Sequence, residues 1–194
     1  KLNIFIGIPN SKVNSDNVII KAYIAEVHFS TKPSIYYTDN VIKKLQTYYW
    51  SSPKPNIQNI DIAIHIRRGD VTNTANICRY TNNKTYVCII KMLKHIYPTY
   101  NICIFSEGQK NDFLDILENY PDITLNLNHD VEYVFHSLVI AKVLVIAKSS
   151  FSYTAGILNP NTIIYSDFWH KSLDHWTKLE DIIDKYKNMT PKIV

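Results

Sequence analysis

Glycine is scarce, with 4 in 194 residues, and neither G-x-x-x-x-G-K-[ST] nor G-x-G-x-x-G occurs, which removes the P-loop and simple dinucleotide-binding readings. Cys78, Cys88 and Cys103 show no C-x-x-C spacing, so neither a disulfide framework nor a zinc site is indicated. Two of them sit in otherwise apolar patterns and are expected to be buried reduced thiols. No apolar run approaches the roughly 20 residues that span a bilayer, so the chain reads as soluble and without a transmembrane segment. No Asp-x-Asp marks a divalent-cation clamp. The net charge is only +4, and the lysines are scattered among Asn, Asp and Glu, so the surface is not built for nucleic acid. No charged start followed by an apolar stretch opens the chain, and a cytoplasmic location is expected.

What is present is alternation. Leu2–Ile8 is β-branched and ends at Pro9, a short strand. Ser15 or Asp16 caps a helix with Ile19, Ala22, Tyr23 and Val27 at helical spacing. Thr38 or Asp39 caps another, with Val41, Leu45, Tyr48 and Tyr49 on one face. Ser51-Ser-Pro-Lys-Pro55-Asn breaks it and is the one internal boundary, separating an N-terminal extension (1–55) from the remainder (56–194).

Beyond that boundary, apolar strands at 61–66, 101–105, 123–127, 143–147 and 161–165 alternate with amphipathic helices. The helices carry Tyr86, Ile89, Ile90, Leu93 and Tyr97; Phe113, Ile116, Leu117 and Tyr120; Val131, Val134, Phe135 and Leu138; a short one after Ser149; and Leu179, Ile182, Ile183 and Tyr186. Continuous apolar strands between such helices predict an α/β fold, a doubly wound and mainly parallel Rossmann-like sheet, with a small N-terminal helical and strand extension.

In such a sheet ligands bind beyond the carboxyl ends of the strands. Those ends carry His65-Ile-Arg67-Arg68-Gly69-Asp70, Ser106-Glu107-Gly108, Asn128 to Asp130, and Ser149-Ser150-Phe151-Ser152. Two adjacent guanidiniums at the end of a rigid strand suit bidentate grip on phosphate, one Arg on the anion and the other, with Asp70, shaping the turn. A purely structural Arg–Asp70 latch is the alternative. Ser149-Ser-Phe-Ser opens a helix, whose free N–H groups attract an anion or are simply capped. Glu107 either accepts from a guanine edge or stabilises the first turn of its helix. His65 is a ligand contact or a core histidine. Arg68-Gly69-Asp70 also spells an adhesion tripeptide, too short and too common to carry that reading here. Residues 168–176, with three aromatics and two His, read as packing over the sheet.

His65-Ile-Arg67-Arg68-Gly69-Asp70 resembles the H-x-R-R-x-D signature of the α1,2-, α1,6- and protein O-fucosyltransferases. Ile104-Phe105-Ser106-Glu107 resembles their second motif, a strand ending in Ser or Thr and an acidic residue, usually Asp. Asp130 through Ser137, Ala141 and Val145 to Ser149-Ser-Phe-Ser resembles the third. The likeness covers about residues 60 to 165, chiefly the GDP-fucose-binding half of a GT-B-like enzyme; about 60 residues precede it.

The resemblance implies transfer of L-fucose from GDP-fucose to a hydroxyl of a glycan or glycoconjugate, with inversion and without a metal or other cofactor. It implies that Arg67 contacts the β-phosphate as the catalytic residue, that His65, Arg68 and Asp70 frame that site, that Ser106 belongs to the donor site and Glu107 lies near the guanine, and that Ser150, Phe151 and Ser152 line the diphosphate. The acceptor side is then reduced to the N-terminal extension, or completed by an oligomer or a partner chain. The alternatives are a glycosyltransferase using another nucleotide sugar and a non-catalytic nucleotide-sugar-binding module.

Overall fold

The computed structural model describes residues 30–57 and 59–189, so the strand and helix expected within residues 1–29 lie outside the described residues. After a 3-10 turn at Pro33–Ile35, the elements are α1 (Asp39–Trp50), β1 (Ile62–Ile66), α2 (Asn83–Ile96), β2 (Ile102–Ser106), α3 (Leu114–Asn119), β3 (Thr124–Leu127), α4 (Val131–Ile140), β4 (Val143–Val145), α5 (Ser150–Leu158), β5 (Thr162–Tyr165), β6 (Thr177–Lys178) and α6 (Leu179–Met189).

The six strands form one sheet in the order β3-β2-β1-β4-β5-β6, every neighbouring pair parallel. All five residues of β1 are buried, as a central strand covered on both faces requires. Ile62, Ile64 and Ile66 point to one face, where they meet Ile90 and Leu93 of α2 and Ile116 of α3. Ala63 points to the other, with Leu144 of β4, Leu138 of α4 and Ile157 of α5. Truncating Ile64, which is fully buried, to Ala would cost about 2–5 kcal/mol through lost transfer energy and the cavity left behind.

The helix ends obey local chemistry. Asn82 caps α2 by accepting from Thr85 N at 2.8 Å, and Lys94 and His95 lie in its last turn, where the helix dipole is negative. The chain builds outward from β1 to β3, then returns to the other side of β1 for β4 to β6. Adjacent loops therefore diverge at the carboxyl ends of β1 and β4, which opens a crevice there.

Three expectations are corrected. The face of α1 turned inward is Ile42, Gln46 and Tyr49, leaving Val41, Leu45 and Tyr48 exposed. Polar contacts select that face, since Gln46 Nε2 donates to Leu158 O at the end of α5 (3.1 Å) and the Tyr49 hydroxyl meets His136 Nδ1 of α4 at 2.7 Å. Cys78 and Cys88 are exposed, and Cys103 is half-buried. Cys88 lies on the outer side of α2, away from the face that buries Tyr86, Ile89, Ile90 and Leu93. Val131, expected on the inner face of α4, is exposed in that helix's first turn. Two-residue β6 has no sequence signal, because it is too short to show periodicity.

Candidate functional site

Arg67 and Arg68 leave β1 toward different partners. Arg68 is buried and bonded to the protein: Nη1 donates to Arg67 O (2.8 Å), and Nη2 donates to Thr81 O (2.9 Å) and to Asn83 Oδ1 (2.7 Å). Its guanidinium also lies 4.5 Å from the centre of the Tyr80 ring. Asn83 in turn donates to Asp112 O and Asp115 Oδ1, so Arg68 ties the end of β1 to the start of α2 and to α3.

Arg67 is part-exposed at 30%, and its Nη2 meets Asp70 Oδ1 at 2.6 Å. The latch between an Arg and Asp70 is thus made by Arg67. Between them Gly69 turns the chain at φ +73°, a conformation that L side chains rarely adopt. Asp70 O accepts from Asn76 Nδ2 at 2.8 Å, and Asn76 O accepts from Arg79 N at 2.8 Å, which fixes the following loop.

From β4 the chain runs through Ala147 and Lys148 into α5. Ser149 caps α5, its Oγ accepting from Phe151 N at 3.3 Å. Ser152 is fully buried, and its Oγ accepts from Ala147 N at 3.2 Å, so it stitches the β4–α5 turn. Ser150 is exposed, with its hydroxyl 2.8 Å from His170 Nε2.

At the crevice predicted by the strand order, Arg67, Arg79, Lys148, Ser149, Ser150, Phe151 and Trp169 surround a cleft of about 240 Å³. Three cationic side chains and the positive end of a nine-residue helix converge there. Such a lining suits a phosphate-bearing anion. On one side, Lys148 also lines a cavity of about 400 Å³ between α2 and α6, with Asp167 and Glu180 among its polar groups. On another, Ser150 and Phe151 border an apolar hollow of about 480 Å³ with Phe135 and Val131.

His65 is buried behind Phe151, outside the cleft lining. Its ring centre lies 5.6 Å from that of Phe151, and its Nδ1 is buried without a hydrogen-bond partner. Burial, with a smaller contribution from the Arg67 charge, pushes its pKa down to about 3, so the imidazole is neutral at physiological pH. A neutral ring against Phe151 adds no second charge near Arg67.

The crevice brings together Arg67, Ser150 and Phe151, with Asp70 attached through Arg67 and His65 through Phe151. Arg68, Ser106, Glu107 and Ser152 do not line that cleft. Ser106 Oγ donates to Ile66 O at 2.8 Å, locking the ends of β1 and β2 together. Glu107 is exposed, its carboxylate seated against Gly69. Sequence reading overlooked Arg79, Lys148 and Trp169. Lys148 carried a signal, standing beside Ser149 at a strand end; Arg79 lies in a polar loop, and Trp169 in a segment read only as packing. That segment does pack, with Phe168 and Trp176 against Tyr153 and Tyr165. Among the described residues, no group of three or more His, Cys, Asp or Glu side chains could hold a metal ion, and no helix is long and apolar enough to cross a membrane.

No protein-family profile and no curated protein matches this chain. Among solved structures it is similar to the Escherichia coli heptosyltransferase WaaC with ADP, at TM-score 0.52 and 11% identity over 73% of this chain and 48% of that one. It is also matched by the glycosyltransferase GlyE of Streptococcus pneumoniae TIGR4 (TM-score 0.40, 12% identity, 76% of this chain and 38% of that one). A third match is POFUT1 in complex with GDP (TM-score 0.40, 15% identity, 70% of this chain and 50% of that one). The chain spans half or less of the length of each. The likeness to WaaC shows a Rossmann-like α/β fold, the class expected from the sequence.

Proposed function

We propose that this chain carries the nucleotide-sugar site of a glycosyltransferase, and that it moves L-fucose from GDP-fucose to a glycan hydroxyl with inversion and without a metal. The observation that carries the reading is the cleft at the β1/β4 crevice, where Arg67, Lys148 and the N-terminus of α5 face one another. The H-x-R-R-x-D, Ser-Glu and S-x-F-S segments add the choice of donor. In this reading residues 56–194 hold the donor, and residues 1–55 contribute to the acceptor side.

The acceptor oxygen attacks C1 of fucose while the bond from C1 to the β-phosphate oxygen breaks, and its electron pair stays on that oxygen. Arg67 and the N–H groups opening α5 meet the developing charge, in a site already polarised before reaction begins. Asp70 holds the Arg67 guanidinium in place through the 2.6 Å contact. The acceptor proton leaves to a base on the acceptor side.

The test is incubation of the purified protein with GDP-fucose, reading GDP release with and without a panel of acceptor glycans. The expected result is acceptor-dependent release that is abolished in Arg67→Ala. Equal release by Arg67→Ala would overturn the assignment of the phosphate site. Tight GDP-fucose binding with no turnover on any acceptor would favour a binding module, and turnover only with another nucleotide sugar would move the donor.

A further inference from the structure

Arg79 is the one cation of the cleft that neither the motifs nor the helix terminus accounts for. Among the described residues its guanidinium has no carboxylate partner, whereas Arg67 is paired with Asp70. It instead lies over the Trp169 ring, 4.9 Å from its centre, which joins the loop after β1 to the loop after β5 across the cleft. Both residues line that cleft.

Each half of the pair is stationed. On the Arg79 side, Asn76 turns the chain at φ +55°; its Nδ2 donates to Asp70 O, and its carbonyl accepts from Arg79 N. The residue that orients Arg67 thus also sets the turn that presents Arg79. On the Trp169 side, the neighbouring His170 is buried, its Nε2 2.8 Å from Ser150 Oγ and its ring stacked at 4.4 Å on Tyr153 of α5. The aromatic loop is therefore fixed to the helix whose N-terminus faces the anion.

Charge gives this arrangement a purpose. Arg67 is paired with Asp70, whereas among the described residues neither Lys148 nor Arg79 forms an ion pair. A phosphate bonded to a sugar carries about one negative charge, and once freed as a terminal phosphate it carries about −1.5 to −2 at pH 7. A guanidinium resting on an indole face is held less tightly than one bonded bidentate to phosphate oxygens, so a phosphate displaces the aromatic ring as its partner.

We infer that Arg79 is a second phosphate-binding cation, held over Trp169 until the ligand arrives, and that it grips the terminal phosphate of a nucleoside diphosphate. The inference rests on the diphosphate reading of the cleft. In transfer, Arg79 takes up the electron pair's charge on the phosphate oxygen released from C1, so its contribution grows from donor to transition state. Trp169 is a positioning residue that acts through Arg79.

The experiment is calorimetric titration of GDP and of GMP into the wild-type protein and the Arg67→Ala, Arg79→Ala, Arg79→Lys, Trp169→Ala and Trp169→Phe variants. The wild type is expected to prefer GDP. Arg79→Ala should lose about tenfold or more of its GDP affinity while keeping that for GMP, and Arg79→Lys should recover part, having charge without the planar fork. Trp169→Phe should keep the GDP preference, and Trp169→Ala should lose part of it. With donor, Arg79→Ala should lower kcat by more than it raises KM. An unchanged GDP-to-GMP preference in Arg79→Ala, alongside its loss in Arg67→Ala, would overturn this inference alone. A wild type that binds neither nucleotide would overturn the diphosphate reading and the inference with it.

Discussion

Glu107 occupies the space that a side chain at Gly69 would need: a Cβ built on Gly69 would fall 2.3 Å from Glu107 Oε2. The turn after β1 and the end of β2 are thereby in direct contact, and the acidic residue of the second motif rests on the glycine of the first. Gly69 also sits at φ +73°. Gly69→Ala should therefore destabilise the fold by about 1–2 kcal/mol through backbone strain, with the carboxylate displaced as well. Glu107→Ala alone should change stability little, because the side chain is exposed. In the double variant the clash is gone and the strain remains, so denaturant unfolding should show partial recovery. Full recovery would mean that the φ angle carries no cost.

The two arginines of the signature should separate by assay. Arg68→Ala strands Thr81 O, Arg67 O and Asn83 without their buried donor, and should cost about 2–4 kcal/mol. Arg68→Lys should not restore it, since an ammonium cannot span those acceptors. Arg67→Ala should leave stability within about 1 kcal/mol, its pair with Asp70 being solvent-screened. Urea midpoints for the three variants check this, and an Arg68→Ala protein as stable as wild type would contradict the structural role.

Ser150 and Ser152 should likewise part. Ser152→Ala removes the acceptor for Ala147 N inside a fully buried turn and should lower the thermal midpoint, at a cost of about 1–3 kcal/mol. Ser150→Ala, on an exposed residue at the cleft, removes one hydrogen bond to buried His170 and should lower the midpoint less than Ser152→Ala while weakening nucleotide affinity. Thermal melts with and without GDP measure both effects.

His65 gives the fold a pH dependence of definite sign. Its folded pKa is about 3, while an unfolded histidine titrates near 6.5. Between those values the unfolded chain binds the extra proton, so this contribution is fully present above about pH 6.5 and is lost as pH falls toward 3. Unfolding free energies measured from pH 7.5 to 4.5 should fall more steeply for wild type than for His65→Phe. Parallel curves would mean that the buried imidazole is not what destabilises the protein in acid.

The α/β class and the element order were legible because apolar runs such as Val143–Val145 and the 3.6-residue spacing of Ile89, Ile90 and Leu93 are driven by burial alone. The polar strand ends were legible too, but not which of them meet in the β1/β4 crevice, since that follows from the strand order. What sequence could not assign was the direction of each side chain. Adjacent Arg67 and Arg68 differ only in which oxygens the fold places around them, and Ser149, Ser150 and Ser152 divide into cap, cleft wall and buried stitch. Arg79 and Trp169 meet from loops ninety positions apart, so no local pattern announces them. The inner face of α1 was misassigned because hydrogen bonds from Gln46 and Tyr49 outweighed the apolar stripe.

In this reading the β1/β4 crevice binds a nucleotide sugar through Arg67. Calorimetric titration of GDP-fucose into wild type and Arg67→Ala, both shown to be folded, tests it most directly. Saturable one-site binding is expected of wild type, with a loss of about tenfold or more in Arg67→Ala. Equal affinities in the two proteins, or no binding by wild type, would contradict it.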